Sequence, residues 1–214
     1  KERGYLVRRD SGLCPSESAG DSIDHFFDRT RRYQYDSKNV NGMPRCNPQA
    51  EIFSGRTCVN GRLVTEYALD DLATFLSMNK DYATFSSNQL WEAHTASPIE
   101  NAATIDTAVA AFVRRVTAEH DNVALFLVSD HGNHAFRHSG SPAGIQDSVM
   151  PWSNVILPMS VLSHRPCTEA IMESNQLRFT TNFDVYATLR QLVHWPAYQT
   201  SPPWAFSWFQ PIPA

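Results

Sequence analysis

Apolar and polar residues alternate along this chain with two different periods. Val64, Ala68, Leu72, Phe75 and Leu76 recur at helical spacing, which predicts one amphipathic helix over 64–78. "YATFSS" at 82–87 follows as a short strand. Ile105, Val109, Phe112, Val113 and Val116 predict a second helix over 105–119, with Thr104 as its N-cap and Asp106 as a first-turn acid that complements the helix dipole. "VALFLVS" at 123–129 is apolar on both faces, the pattern of a strand at the centre of a largely parallel sheet with helices on either side. "SNVILP" at 153–158 is another strand, and "TNFDVYATLRQLV" at 181–193 a helix whose Thr181 and Asp184 have the spacing of a capping box. Strands and helices taking turns in this way predict an α/β fold.

The remaining stretches carry weaker patterns. "KERGYLVRRD" reads as the last turn of a helix, a left-handed Gly4, then a strand from Tyr5 to Arg8, so a preceding segment is expected. Ser, Asp, Asn, Pro and Gly dominate 10–60, which predicts loops packed down by Phe26, Phe27, Tyr33 and Tyr35. "SGSPAG" at 139–144 also reads as a loop. Past Trp195 the residues are rich in Pro and Trp and lack a period. The expected organisation is therefore a body over 1–195 and an extended tail over 196–214 that straps along the body or holds a partner.

Composition narrows the function classes. With 214 residues, 42% hydrophobic and 19% charged, the chain can build one substantial soluble core. A net charge of −4 and no basic run longer than "RTRR" at 29–32 argue against nucleic acid as a partner. The longest apolar run falls far short of the roughly 20 residues that cross a bilayer, so no transmembrane segment is expected. Cys14, Cys46, Cys58 and Cys167 form no CxxC pair. Disulfides are the favoured use, with Cys46 and Cys58 bracketing a turn-rich loop and Cys14 left for Cys167. That is one of three connectivities, and it implies a secreted, lumenal or cell-surface setting; four free thiols in a cytosolic protein are the alternative.

Candidate chemistry concentrates in "SDHGNHAFRH" at 129–138. Ligands of open α/β sheets collect at the carboxyl ends of strands, and Asp130 and His131 stand there, on a turn relieved by Gly132. One carboxylate and one imidazole suit a divalent cation. The bland reading is a turn in which Asp130 accepts backbone N–H groups while His131 is half exposed. His94, shortly after the strand at 82–87, is a second candidate at the same edge, and His134 and His138 are secondary ones. Ser129 reads as a packing or turn residue, His120 and His194 as cations at helix ends, and Trp91 and Trp152 as walls of the site or core. His25 and His164 lie in loops without identifiable partners. No G-x-S-x-G elbow occurs, which argues against a Ser-His hydrolase.

The order and spacing of "CVNGRLVTEYALDDLATFL", "LWEAHT", "ATIDTAVAAFVRRV", "LFLVSDHGNH", "GIQDSVMPWSNVILP" and "NQLRFTTNFDVYATLRQL" resemble the sulfatase-like branch of the alkaline phosphatase superfamily, and within it the eukaryotic family called domain of unknown function 229. The resemblance runs from the first residue to about Trp195. It implies a three-layer α/β sandwich with a central, mostly parallel sheet, and a metal-dependent hydrolase or transferase acting on phosphate or sulfate esters. Asp130 and His131 match the paired metal ligands, and His94 matches a His that reaches ester oxygens or a metal. Imidazole ligation favours zinc or manganese, with calcium and magnesium open. Two positions depart from the family pattern: Asp147 stands where members commonly have Glu, and Thr95 where they have Asp. The nucleophile and one acidic ligand are expected from a segment preceding this one, or from another chain that completes the site. The alternative is a catalytically inactive relative serving as a structural or assembly subunit.

Overall fold

Gly4 takes the left-handed conformation expected of it, at φ 76°, and leads into β1 (Leu6–Asp10). The computed structural model describes residues 4–10, 25–27, 58–59, 61–90, 98–132, 140–164, 166–197 and 199–213. These divide into two units, Lys1–His120 and Asp121–Ala214.

In the first unit β1 is the middle strand of a parallel sheet, flanked by β2 (His25–Phe27) and β5 (Thr84–Ser87). Arg8 stands opposite both His25 and Ser86. The buried positions of β1 are charged, Arg8 and Asp10, and not the apolar ones. Burying a guanidinium is costly unless it is paired and hydrogen-bonded. Arg8 donates from Nε (3.0 Å) and Nη2 (2.7 Å) to Asp71 Oδ2 and from Nη1 to Asn88 Oδ1 at 2.6 Å. Asp71 lies on α1 (Val64–Met78), which follows a short antiparallel pair, β3 (Cys58–Val59) with β4 (Arg62–Leu63). The helix has the span its periodicity predicts and buries Val64, Ala68, Leu69, Leu72 and Phe75. Glu66 fixes its start by accepting the Leu63 N–H at 2.9 Å.

α2 (Pro98–Glu119) packs against α1 and buries Ile105, Phe112 and Val116. It begins seven residues earlier than the periodicity predicts, at a proline, which suits the first helical position because its missing N–H would have no partner there. Thr104 is therefore an interior residue and not an N-cap, and Asp106 is too far along the helix to serve its dipole.

In the second unit β6 (Leu125–Val128) pairs antiparallel with β7 (Ser153–Ile156), Leu125 opposite Ile156 and Val128 opposite Ser153. This differs from the expected centre of a parallel sheet: among the described residues β6 has this one antiparallel neighbour and is only half-buried, with Val128 exposed. Between the two strands, α3 (Pro142–Val149) replaces the loop predicted there. Pro142 takes the first helical position and Ser141 Oγ accepts the Gly144 N–H at 3.1 Å, so residues that read as breakers act as a helix start. The unit continues through α4 (Met159–Leu162), α5 (Thr168–Asn175) and α6 (Asn182–Val193). Asp184 accepts the Thr181 N–H at 2.7 Å, as the capping box predicts.

The tail is fastened by side chains. Trp208 and Ile212 join Val185 in a core cluster against which Phe126, Val155 and Leu189 pack, and Trp208 stacks on Phe126 at 6.0 Å. Asn175 donates to the carbonyls of Trp208 (3.0 Å) and Gln210 (2.8 Å) and accepts the Ile212 N–H at 3.0 Å. Thr188 Oγ1 accepts the Trp208 N–H at 2.9 Å, and Asp184 Oδ1 the Phe206 N–H at 2.6 Å. Buried backbone must find partners, and here helix side chains supply what a strand ladder would otherwise give. Cys167 is exposed and has no disulfide partner among the described residues; Cys14, the partner expected for it, and Cys46 lie outside the described residues. No helix among the described residues is long and apolar enough to cross a membrane.

Candidate metal centre

The carboxyl end of β6 runs straight into the turn that carries Asp130 and His131, and three other segments hold that turn. Ser129 N–H donates to Trp152 O at 2.8 Å, while Ser129 Oγ accepts the Trp152 N–H at 2.7 Å. Ser129 is thereby engaged by the backbone beside β7, the structural role its position suggested. Asn182 Nδ2, at the first residue of α6, donates to the Asp130 carbonyl at 2.9 Å. Gly132 N–H donates to Ser148 O at 3.1 Å, near the end of α3.

Within the turn each of the two side chains commits one atom to backbone and turns another toward its neighbour. Asp130 Oδ1 accepts the His131 N–H at 3.0 Å. His131 Nδ1 lies 2.7 Å from the Gly132 carbonyl. A carbonyl only accepts, so this contact selects the tautomer with hydrogen on Nδ1 and puts the lone pair of the neutral ring on Nε2. Asp130 Oδ2 and His131 Nε2 then face each other at 3.6 Å, with the carboxylate 85% and the imidazole 43% exposed. Two donors bound to one ion at about 2.1 Å in a tetrahedral arrangement stand roughly 3.4 Å apart, so the pair fits a shared divalent cation. A backbone partner on the other imidazole nitrogen is also what metal-bound histidines ordinarily have. The turn reading holds for Oδ1, which accepts the His131 N–H, while Oδ2 is the oxygen that faces the imidazole.

The other predicted residues divide by position. His94, His134 and His138 lie outside the described residues, as does Trp91. Among the described residues no group of three or more His, Cys, Asp or Glu side chains stands ready for a metal. Trp152 is 58% exposed and so is not core. His194 Nδ1 lies 2.8 Å from the Arg190 carbonyl in the last turn of α6, the helix-end role foreseen for it. His164 has a partner that the sequence hid, the ring of Trp195 at 5.3 Å. Asn182 was missed altogether. It is 52 residues from Asp130, and an Asn opening a helix carries no sign of where its amide points.

Comparison with families of known sequence gives a match to the model described as "Protein of unknown function (DUF229)", over residues 45–203. Neither the curated proteins nor the solved structures yield a match. The matched stretch takes in the turn at 129–132, α3 and the whole of α6, and it covers well over half of the 214 residues. The chain therefore belongs to the DUF229 family.

Proposed function

We propose that this chain is part of a metal-dependent hydrolase or transferase acting on phosphate or sulfate esters, with Asp130 Oδ2 and His131 Nε2 as two ligands of a divalent cation, zinc or manganese before calcium or magnesium. The observation that carries the reading is the pair of atoms facing each other at 3.6 Å while their partner atoms are tied to backbone. A bound divalent ion would neutralise ester oxygens and lower the pKa of a nucleophile. Asp130 and His131 hold that charge at an exposed turn, where an ester anion can approach it. His94 is proposed to reach the ester oxygens or a metal, and His134 and His138 are the secondary candidates for further ligand positions. The nucleophile and another acidic ligand would come from outside these residues or from a partner chain. The fold proposed with this function is the three-layer sandwich with a mostly parallel sheet, supported by the parallel pairing of β1 with β2 and β5.

Turnover of a bis-phosphate ester, a phosphate monoester and a sulfate ester by the full-length protein tests the activity. At least one should be hydrolysed or transferred, and Asp130→Ala should lower that rate about a hundredfold, in the range of lost transition-state charge stabilisation. Metal binding without turnover of any ester class would contradict the enzyme and favour the scaffold reading. Equal rates in wild type and Asp130→Ala would remove this turn from the site.

A further inference from the structure

Resting on the metal reading, we infer that Asn182 is a positioning residue for the ligand pair, acting through the Asp130–His131 peptide. Its Nδ2 donates to the Asp130 carbonyl at 2.9 Å. That carbonyl and the His131 N–H belong to one planar peptide unit, so fixing one fixes the other. The same N–H donates to Asp130 Oδ1, which leaves Oδ2 turned toward His131 Nε2. Asn182 thus holds the peptide plane that orients the carboxylate, one oxygen on the His131 N–H and the other toward the imidazole.

The strut is itself held. Asn182 is the first residue of α6, and Asp184, buried to 5% exposure, accepts from Thr181 N–H (2.7 Å) and Thr181 Oγ1 (3.0 Å) on Oδ2 and from Phe206 N–H on Oδ1. The helix start cannot shift without breaking that set. The other two restraints on the turn act at Ser129 and Gly132, either side of the ligands, whereas Asn182 acts on the ligand residue itself.

Titration of the full-length protein with Mn2+ alone, followed by calorimetry, distinguishes this role from a merely structural one. Asn182→Leu keeps the shape and removes the donor; it should weaken Mn2+ binding about tenfold or more, as lost outer partners of metal ligands do. Its melting temperature should fall by no more than about 2–4 °C, because the bond removed is exposed. Asn182→Gln restores an amide donor and should recover part of the affinity. Unchanged Mn2+ affinity in Asn182→Leu, beside a wild type that binds, would overturn this inference and leave the metal reading standing. No Mn2+ binding by the wild type would overturn both.

Discussion

Arg8→Ala should lower the stability of the protein by about 3–5 kcal/mol in equilibrium urea denaturation, the usual cost of removing one partner of a buried ion pair. Arg8 is fully buried in the middle strand of the parallel sheet, and its guanidinium holds Asp71 and Asn88 together. Deleting it takes the guanidinium away from the Asp71 carboxylate, which is 14% exposed. The cost has two parts: the hydrogen bonds that Arg8 donates to Asp71 and Asn88, and the cavity where the alkyl chain ran. The double change Arg8→Met with Asp71→Leu separates them. It removes both charges and keeps the volume, so it should recover most of the loss, as apolar replacement of buried ion pairs commonly does. A loss under about 1 kcal/mol for Arg8→Ala would mean that the pair contributes no more than a surface bridge.

The second large effect is expected at Gly132, for a reason of space and not of φ. A Cβ built there would stand 1.7 Å from the Asp147 carbonyl oxygen and 2.7 Å from its carbonyl carbon. Both are backbone atoms of α3, which cannot swing aside as a side-chain tip could. Gly132→Ala must push the turn away from α3, breaking the bond from Gly132 N–H to Ser148 O. The expected destabilisation is about 3 kcal/mol, at the upper end of overpacking costs. The separated turn should also bind metal more weakly, because Gly132 O is the partner of His131 Nδ1. A Gly132→Ala protein of wild-type stability and wild-type metal affinity would show that the close approach of α3 has no consequence for the turn.

Where a hydrophobic stripe alone decides the structure, the residues could be read off the chain. α1 spans the predicted 64–78 because its apolar face repeats from end to end and its helix-forming residues agree with it. The first turns of α2, "PIENAAT", carry one large apolar residue, so the period vanishes there although the helix does not. Pro142 and Gly144 concealed α3, since a proline that ends a helix from within can begin one at its first position. The chain pattern places a strand at Tyr5–Arg8 and β1 stands there, but its inward residues are Arg8 and Asp10, and hydrophobicity cannot report an inward face that is charged. The tail lacked any period because Asn175, Asp184 and Thr188 bind its backbone, and such bonds impose no alternation on the residues they hold.

The site divides along the same line. Asp130 and His131 could be singled out as candidates because a strand end followed by an acid and an imidazole is a local signal. What orients them comes from far along the chain. Trp152, Ser148 and Asn182 restrain the turn through backbone atoms or an amide whose direction depends on the fold. Residue type at those positions says nothing about the Asp130 carbonyl.

The most direct test of the metal centre is the divalent metal content of the purified full-length protein, with Zn2+ and Mn2+ titration of the emptied protein, for wild type, Asp130→Ala and His131→Ala. Bound metal in the wild type and affinity at least a hundredfold weaker in each variant, with folding unchanged at these exposed positions, is the predicted result. Wild-type metal content in both variants would contradict it, because an ion that stays when both facing donors are gone in turn was never theirs.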